Sequence, residues 1–386
     1  MEMMRGHKKT DVGVIPDSWE VHPLQDVARL ERGKFSARPR NDPKYFGGDY
    51  PFIQTGDVTN SNGRITSFSQ TLNEEGLRVS RLFPPNTLFF TIAANIGDVA
   101  VAAFSTACPD SLIAVAPNKN VDQVWLFYAL GSRKRIFEGL ATQNAQLNIN
   151  LEKLRPYLLS VPALPEQRAI ASALSDVDAL IGALDRLVAK KRDLKQAAMQ
   201  QLLTGTTRLP GFSGKWETSR LGTVAPLQRG FDLPNPQLRP GPYPVVYSNG
   251  ILNHHDEFRA RGPGVVTGRS GTIGSVTYLE GDYWPHNTSL WVTSFRGNSP
   301  KFIFCLLNAL KLERFASGSG VPTLNRNDVH AFSVRVPPSV DEQRAIATLL
   351  SDMDAEITAL EARRDKTRSL KQGMMQDLLT GRIRLV

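Results

Sequence analysis

EQRAIASALSDVDALIGALDRLVAKKRDLKQAAMQQLLTGTTRL, residues 166–209, returns as EQRAIATLLSDMDAEITALEARRDKTRSLKQGMMQDLLTGRIRL at residues 342–385. The offset is constant (342 − 166 = 385 − 209 = 176), and 27 of the 44 aligned positions are identical without a gap. Two unrelated amphipathic helices of similar composition would not hold register over that length. Apolar residues in the first copy fall at Ile170, Leu174, Val177, Ile181, Leu184 and Val188, and in the second at Ile346, Leu350, Met353, Ile357 and Leu360. Alternating steps of four and three make this a coiled-coil seam. Pro165 and Gly205 supply start and stop signals for a helix from about Glu166 to Leu203. Such a rod would be roughly 57 Å long at ~1.5 Å per residue. Two of them would bury their seams against each other. A linker as short as residues 206–214 could not lead the chain back along a rod of that length, so the pair is expected to be antiparallel. Beyond Val188 the seam gives way to Lys190, Lys191 and Arg192, and in the second copy to Arg363, Arg364, Asp365 and Lys366. These runs are either a solvated face or a docking or phosphate-facing surface.

A weaker repeat precedes each copy. Trp19, Leu24, Val27, Arg32 and Gly33 are matched by Trp216, Leu221, Val224, Arg229 and Gly230 at an offset of 197 (216 − 19 = 230 − 33 = 197). Further on, Ile96-Gly97 answers Ile273-Gly274, and Leu147-Asn148 answers Leu324-Asn325, both at 177 (273 − 96 = 324 − 147 = 177). A drifting offset means a shared fold with loops of different length. The chain therefore reads as a globular domain over 1–160, a constant helix over 161–208, a second globular domain over 209–335 and a second helix over 336–386. Inside the globular segments, short β-rich runs at 87–92, 112–115, 264–267 and 289–293 are broken by Gly, Pro and Asn, and helical patterns occur at 121–130 and 300–312. The expected fold class is α+β: two similar domains separated by two long helices in an antiparallel coiled coil, with a pseudo-two-fold internal repeat.

Across all 386 residues, 41% are hydrophobic and 22% charged, the balance of a soluble globular protein. No run approaches the ~18 apolar residues of a membrane span. The first residues, MEMMRGHKKTD, have no apolar core, so no secretory signal is expected from them. Cys108 and Cys305 are the two cysteines, and no Cys/His cluster has metal-ligand spacing. A reducing cytoplasm and two buried thiols are the natural expectation. With 46 Lys and Arg against 37 Asp and Glu, the formal charge is +9. That suggests a polyanionic partner, against the plainer alternative of a basic protein without one.

The opening phrases GVIPDSWEVHPLQDV (13–27) and LPGFSGKWETSRLGTV (209–224) resemble the start of recognition domains in the specificity subunits of type I restriction–modification systems. So do the closing phrases VPALPEQRAIASALSDVDALI (161–181) and VPPSVDEQRAIATLLSDMDAEI (336–357). LFFTIAANIGDVA (88–100) and GVVTGRSGTIGSV (264–276) resemble the glycine-bearing hairpin of those domains, and NTSLWV (287–292) and VPTLNRNDV (321–329) fit as well. The first domain has NAQLNIN (144–150) where the second has VPTLN, so that loop cannot be equated residue for residue. The resemblance implies that each domain binds one half of a bipartite DNA target. It also implies that the paired helices set the spacing and carry two methyltransferase subunits, to which endonuclease/translocase subunits attach. S-adenosylmethionine, ATP and Mg are then expected on the partner subunits and no cofactor on this chain. A stand-alone DNA-binding or phage-defence adaptor on the same scaffold is the alternative.

An enzymatic role finds little support in the residues. The Asn/Asp-Pro-Pro-aromatic motif of adenine methylation is missing; the nearest string, FPPN at 83–86, has the wrong order. GFSGKW (211–216) lacks the spacing and the Ser/Thr of a P-loop. Asp17 with Asp42-Pro43-Lys44 loosely matches a nuclease pattern, but Pro43 would interrupt the central strand that pattern needs. In His254-His255-Asp256, adjacent histidines on a strand would point to opposite faces.

Base-reading needs polar and cationic side chains on loops held by a rigid scaffold. In the second domain, Arg269, Ser270 and Thr272 lie in a glycine-flanked turn, and Asn287, Thr288 and Ser289 form a second cluster. The plainer alternative for Asn287 and Thr288 is a turn cap bonded only to backbone. In the first domain the corresponding turn carries Thr91 and Asn95, and Gln143, Asn144 and Gln146 form a polar loop. Arg38, Arg40 and Lys44 are phosphate candidates, or else a solvated basic loop.

Overall fold

In the computed structural model, described for residues 6–141, 148–317 and 322–385, both repeat copies are helices, Leu164–Leu202 and Val340–Leu378. Pro165 lies inside the first turn, where its missing N–H leaves no bond unmade. Past each helix the chain turns at a left-handed glycine, Gly205 (φ +69°) and Gly381 (φ +74°). A β-carbon at Gly205 would come within 2.8 Å of the Trp216 ring, and one at Gly381 within 2.4 Å of Pro16. The repeated TG is therefore a turn that only glycine can make.

The chain forms two compact units: residues up to Ala183 together with those from Arg364, and Leu184–Arg363. Each unit thus holds one globular domain, the early part of one long helix and the late part of the other. In the first unit, Asp178 pairs with Lys371 at 2.7 Å and Glu166 pairs with Arg384. In the second, Lys191 pairs with Glu356 at 2.7 Å, Lys195 with Asp354 and Arg192 with Glu361. From Glu166 to Asp178 the partner moves back from Arg384 to Lys371, and from Lys191 to Lys195 it moves back from Glu356 to Asp354, so the segments run antiparallel within each unit. Lys191 and Arg192 of the charge run pair with carboxylates of the second helix, while Arg192 remains exposed.

The first domain is built on a five-stranded sheet in the order Ala28–Arg32, Leu112–Pro117, Leu88–Thr91, Val99–Ala102, Arg64–Ile65. The second repeats its first four strands as Leu227–Arg229, Ser289–Val292, Gly264–Gly268, Val276–Leu279. Register makes the equivalence exact to the residue. Arg32 faces Ile113 as Arg229 faces Leu290, and Phe90 faces Ile113 as Thr267 faces Leu290. The helical patterns form as Gln123–Gly131 and Pro300–Ala309, the latter followed by a 3₁₀ turn at Leu312–Phe315. Cys108 and Cys305 are both buried.

One pairing from the sequence is corrected. Leu324 N donates to Arg269 O at 2.7 Å, and the equivalent donor to Ile92 O is Ile149 N at 2.9 Å. Asn150 and Asn325 then cap the following short helices, accepting from Lys153 N and Asn327 N. Ile149-Asn150, not Leu147-Asn148, is therefore the counterpart of Leu324-Asn325 (324 − 149 = 325 − 150 = 175). LNIN offers two asparagines two residues apart, and only the cap distinguishes them.

Each domain is fastened to its helix by the same clasp. Trp19 Nε1 donates to buried Glu166 at 2.9 Å, and Arg384 forks onto that carboxylate with Nη2 at 2.7 Å. In the second unit Trp216 donates to buried Glu342 at 3.3 Å and Arg208 forks onto it with Nη2 at 2.6 Å. Arg208 and Arg384 occupy the same repeat position (384 − 208 = 176), so each copy's glutamate is neutralised by the other copy's arginine. Bidentate pairing makes a buried carboxylate tolerable.

Candidate nucleic-acid interface

In the second domain, hydrogen bonds from main-chain N–H groups draw four loops together. Arg269 N and Ser270 N donate to Thr288 O at 2.9 and 3.2 Å, and Gly271 N donates to Pro322 O at 3.2 Å. Ser248 N donates to Thr288 Oγ1 at 3.3 Å. Gly268 is obligatory there, since a β-carbon on it would fall 1.8 Å from Thr272 O. The loops are thus a rigid platform.

Beside it lies a cleft of about 460 Å³ lined by Arg229, Arg269, Arg326, Asn325 and Asn327, with buried Leu290 among its walls. Arg229 pairs with Asp232 at 3.0 Å in the open. Arg269 is half-buried, and its Nη1 reaches Asn287 O only at 3.4 Å. Arg326 is exposed, with neither an ion pair nor a hydrogen bond among the described residues. Behind it His330 Nε2 accepts from Leu227 N at 2.8 Å. Burial, with the Arg326 charge, holds the pKa of His330 below the ordinary histidine value. The cleft offers cationic forks and amides on a fixed frame, the donors that engage acceptors on groove edges and phosphates.

The other second-domain candidates divide. Thr272 is exposed and Ser270 half-buried. Asn287 donates its amide to Asp232, and Thr288 Oγ1 lies 3.0 Å from His286 Nδ1, so both hold the turn together. Ser289 is fully buried, donating to His286 O at 2.7 Å and Val246 O at 3.1 Å; it presents nothing to a ligand. His254 is exposed and His255 buried on the strand Gly250–His255, as alternation requires.

In the first domain Thr91 is likewise buried; its hydroxyl donates to Asn95 O and accepts from Asp98 N at 2.9 Å, which closes the turn and removes it from the surface. Asn95 is exposed, with its amide on Thr59 Oγ1 at 3.1 Å. Arg38, Arg40 and Lys44 are exposed. Arg38 donates to Ala37 O at 2.7 Å, Arg40 pairs with Asp110 at 2.9 Å, and Lys44 stands 3.6 Å from Asp42. Burial pushes the Asp110 carboxyl up, but the bond and charge of Arg40, together with the Arg32 charge and a backbone bond, hold it below the ordinary value. Asp42-Pro43-Lys44 is a capped 3₁₀ turn, not a strand. Gln143, Asn144 and Gln146 lie outside the described residues. Arg326, Asn325 and Asn327 are not among the readers expected from sequence, although the phrase VPTLNRNDV contains them; the signal available is a capping Asn followed by a cation. Among the described residues no group of three or more His, Cys, Asp or Glu could hold a metal, and no helix is long and apolar enough to cross a membrane.

Comparison with known proteins agrees with this architecture. Residues 16–188 and 213–367 match the family described as the type I restriction modification DNA specificity domain. The chain is 21% identical to the type I restriction enzyme MjaVIII specificity subunit of Methanocaldococcus jannaschii over 96% of this chain and 94% of that protein. It is 23% identical to the type I restriction enzyme EcoprrI specificity subunit of Escherichia coli over 86% of each. Among solved structures, the S subunit of a type I restriction–modification system from M. genitalium matches with a TM-score of 0.64 at 17% identity, covering 98% of both chains. The HsdS subunit from Thermoanaerobacter tengcongensis matches at 0.52 and 16%, over 96% of this chain and 98% of that one.

Proposed function

Since the chain belongs to the type I restriction modification DNA specificity family, we propose that it reads a bipartite double-stranded DNA target, one half-site with each globular domain. Its place in such a system is that of specificity subunit, the recognising and non-catalytic component. The observation that carries the bipartite reading is internal: two domains share one strand ladder residue for residue yet differ at the surface positions set on that ladder. One scaffold with two surfaces is what two unlike half-sites require.

The helix pair, on this reading, fixes the half-site spacing and docks two methyltransferase subunits, to which endonuclease/translocase subunits attach. Leu180, Leu187 and Leu194, seven residues apart, stay exposed on the first helix, as does Leu370 on the second, the repeat partner of Leu194. They support a docking role, because an apolar stripe at heptad spacing is suited to another helix. S-adenosylmethionine, ATP and Mg would then act on the partner subunits.

The test is a methylome of the host with the gene intact and deleted. The reading expects a two-part adenine-methylated motif that disappears with the gene. A methylome unchanged by deletion would refute it and favour an adaptor without an enzyme partner.

A further inference from the structure

Two domains on one scaffold meet the same phosphates at either half-site but different bases. Cations kept at equivalent ladder positions therefore suit the backbone, and those that differ suit the bases. The strand registers and the bonds to Ile92 O and Arg269 O set the equivalences. Arg229 corresponds to Arg32, so a cation is kept. Arg269 corresponds to Ile92 (269 − 92 = 177), which is buried in the first domain's core. Arg326, directly after the capping Asn325, corresponds to Leu151, directly after the capping Asn150. Leu151 packs on that same core. Where the first domain closes this corner with carbon, the second opens a cleft with two guanidiniums.

From this difference we propose that Arg269 and Arg326 read a guanine in the second domain's half-site, and that Arg229 and Arg32 contact phosphate in their respective half-sites. The inference rests on the half-site reading above. Guanine presents O6 and N7 side by side in the major groove, the pair of acceptors that a guanidinium fork engages at once. Arg326 is free to supply it, and the carbonyl contact of Arg269 is long enough to yield. The first domain has no cation at either position, so its half-site has no guanine read in this way.

Selection of bound sequences from a random double-stranded DNA pool by the purified full chain tests this. Wild type is expected to select a two-part motif with at least one strongly preferred guanine in one half. Arg326→Ala should reduce that guanine preference roughly five- to a hundredfold and leave the other half unchanged. Arg326→Lys should lose the preference too, while retaining affinity for the pool, because it keeps the charge but not the fork. Arg229→Ala and Arg32→Ala should leave the motif intact and lower the slope of log affinity against log salt by about 0.9 each. Arg326 is exposed, so its variants are expected to melt as wild type does. A wild-type two-part motif that survives Arg326→Ala unaltered, with only the salt slope reduced, makes Arg326 a phosphate contact and overturns the inference alone. A wild-type chain that selects no two-part motif overturns the half-site reading and the inference with it.

Discussion

Glu342 is fully buried, and its charge is met by Arg208 and Trp216. Arg208→Ala would leave that carboxylate uncompensated, at a cost of ~3–5 kcal/mol to the second unit. Arg344→Ala, which removes an exposed pair with Asp341, should cost under ~1 kcal/mol. Urea unfolding of the two variants checks both, and equal costs would mean that the clasp carries no weight. A second expectation concerns His330 and His286, whose pKa values burial holds below 6.5. Both are disposed to stay neutral when folded, so the unfolded chain binds more protons below that pH. The stability they contribute is present above about pH 6.5 and is lost as pH falls through it. Hydrogen exchange at pH 7.5 and 5.5 should show protection falling at Leu227, whose N–H is held by His330, and the fall should shrink in His330→Gln. Identical pH dependence in variant and wild type would contradict this. The repeat makes Glu166 and Arg384 conspicuous as recurring letters, but their roles are not legible in it. The two side chains are 218 positions apart, and the Trp19 that completes their clasp is 147 from Glu166.

Helices are the most legible elements, because a four-three apolar spacing has one structural meaning. What the spacing cannot say is what each turn of the seam packs against. Ile170 and Leu174 lie in one core cluster with Trp19, Leu159 and Leu378, so the first turns bury against the globular domain as well as against the other helix. Ile346, Leu350 and Met353 do the same in the second domain. Leu184, Val188 and Ile357 are buried, and Val177, Ile181 and Leu360 are half-buried. Ile357→Asp should therefore cost more than Ile181→Asp, by ~3 kcal/mol or more if the carboxylate stays buried and unpaired. Denaturant midpoints of the two variants decide it, and equal shifts would argue against this seam. The charge run after Val188 is ambiguous in sequence for a related reason. One helix does not reveal which residues face it, and only the second, running the other way, sets Glu356 and Asp354 within reach of Lys191 and Lys195. Strands are legible wherever Gly and Asn punctuate them. The buried Thr91 and Ser289 are not, because a polar residue that closes a turn and one that faces a ligand look alike in a sequence.

For the whole molecule, duplication is legible in the sequence alone, since a constant offset over 44 positions admits one explanation. Antiparallel pairing adds what the offset alone does not: each compact unit joins one globular domain to helix segments from both copies. Each long helix begins in one unit and ends in the other. If the domains read separate half-sites and the helices set their spacing, helix length and target spacing must change together. Four residues inserted after Leu184 and four after its repeat partner Leu360 lengthen both helices by about one turn, ~6 Å, nearly preserving the seam. Two-residue insertions rotate the seam by about 200° and should abolish assembly with the methyltransferase. Sequencing of methylated adenines in cells carrying the four-residue variant tests the linked roles of domains and helices most directly. With a rise of ~3.4 Å per base pair, the expected result is unchanged half-sites separated by one or two more base pairs. A variant that methylates only the original spacing, or whose half-sites change, would contradict it.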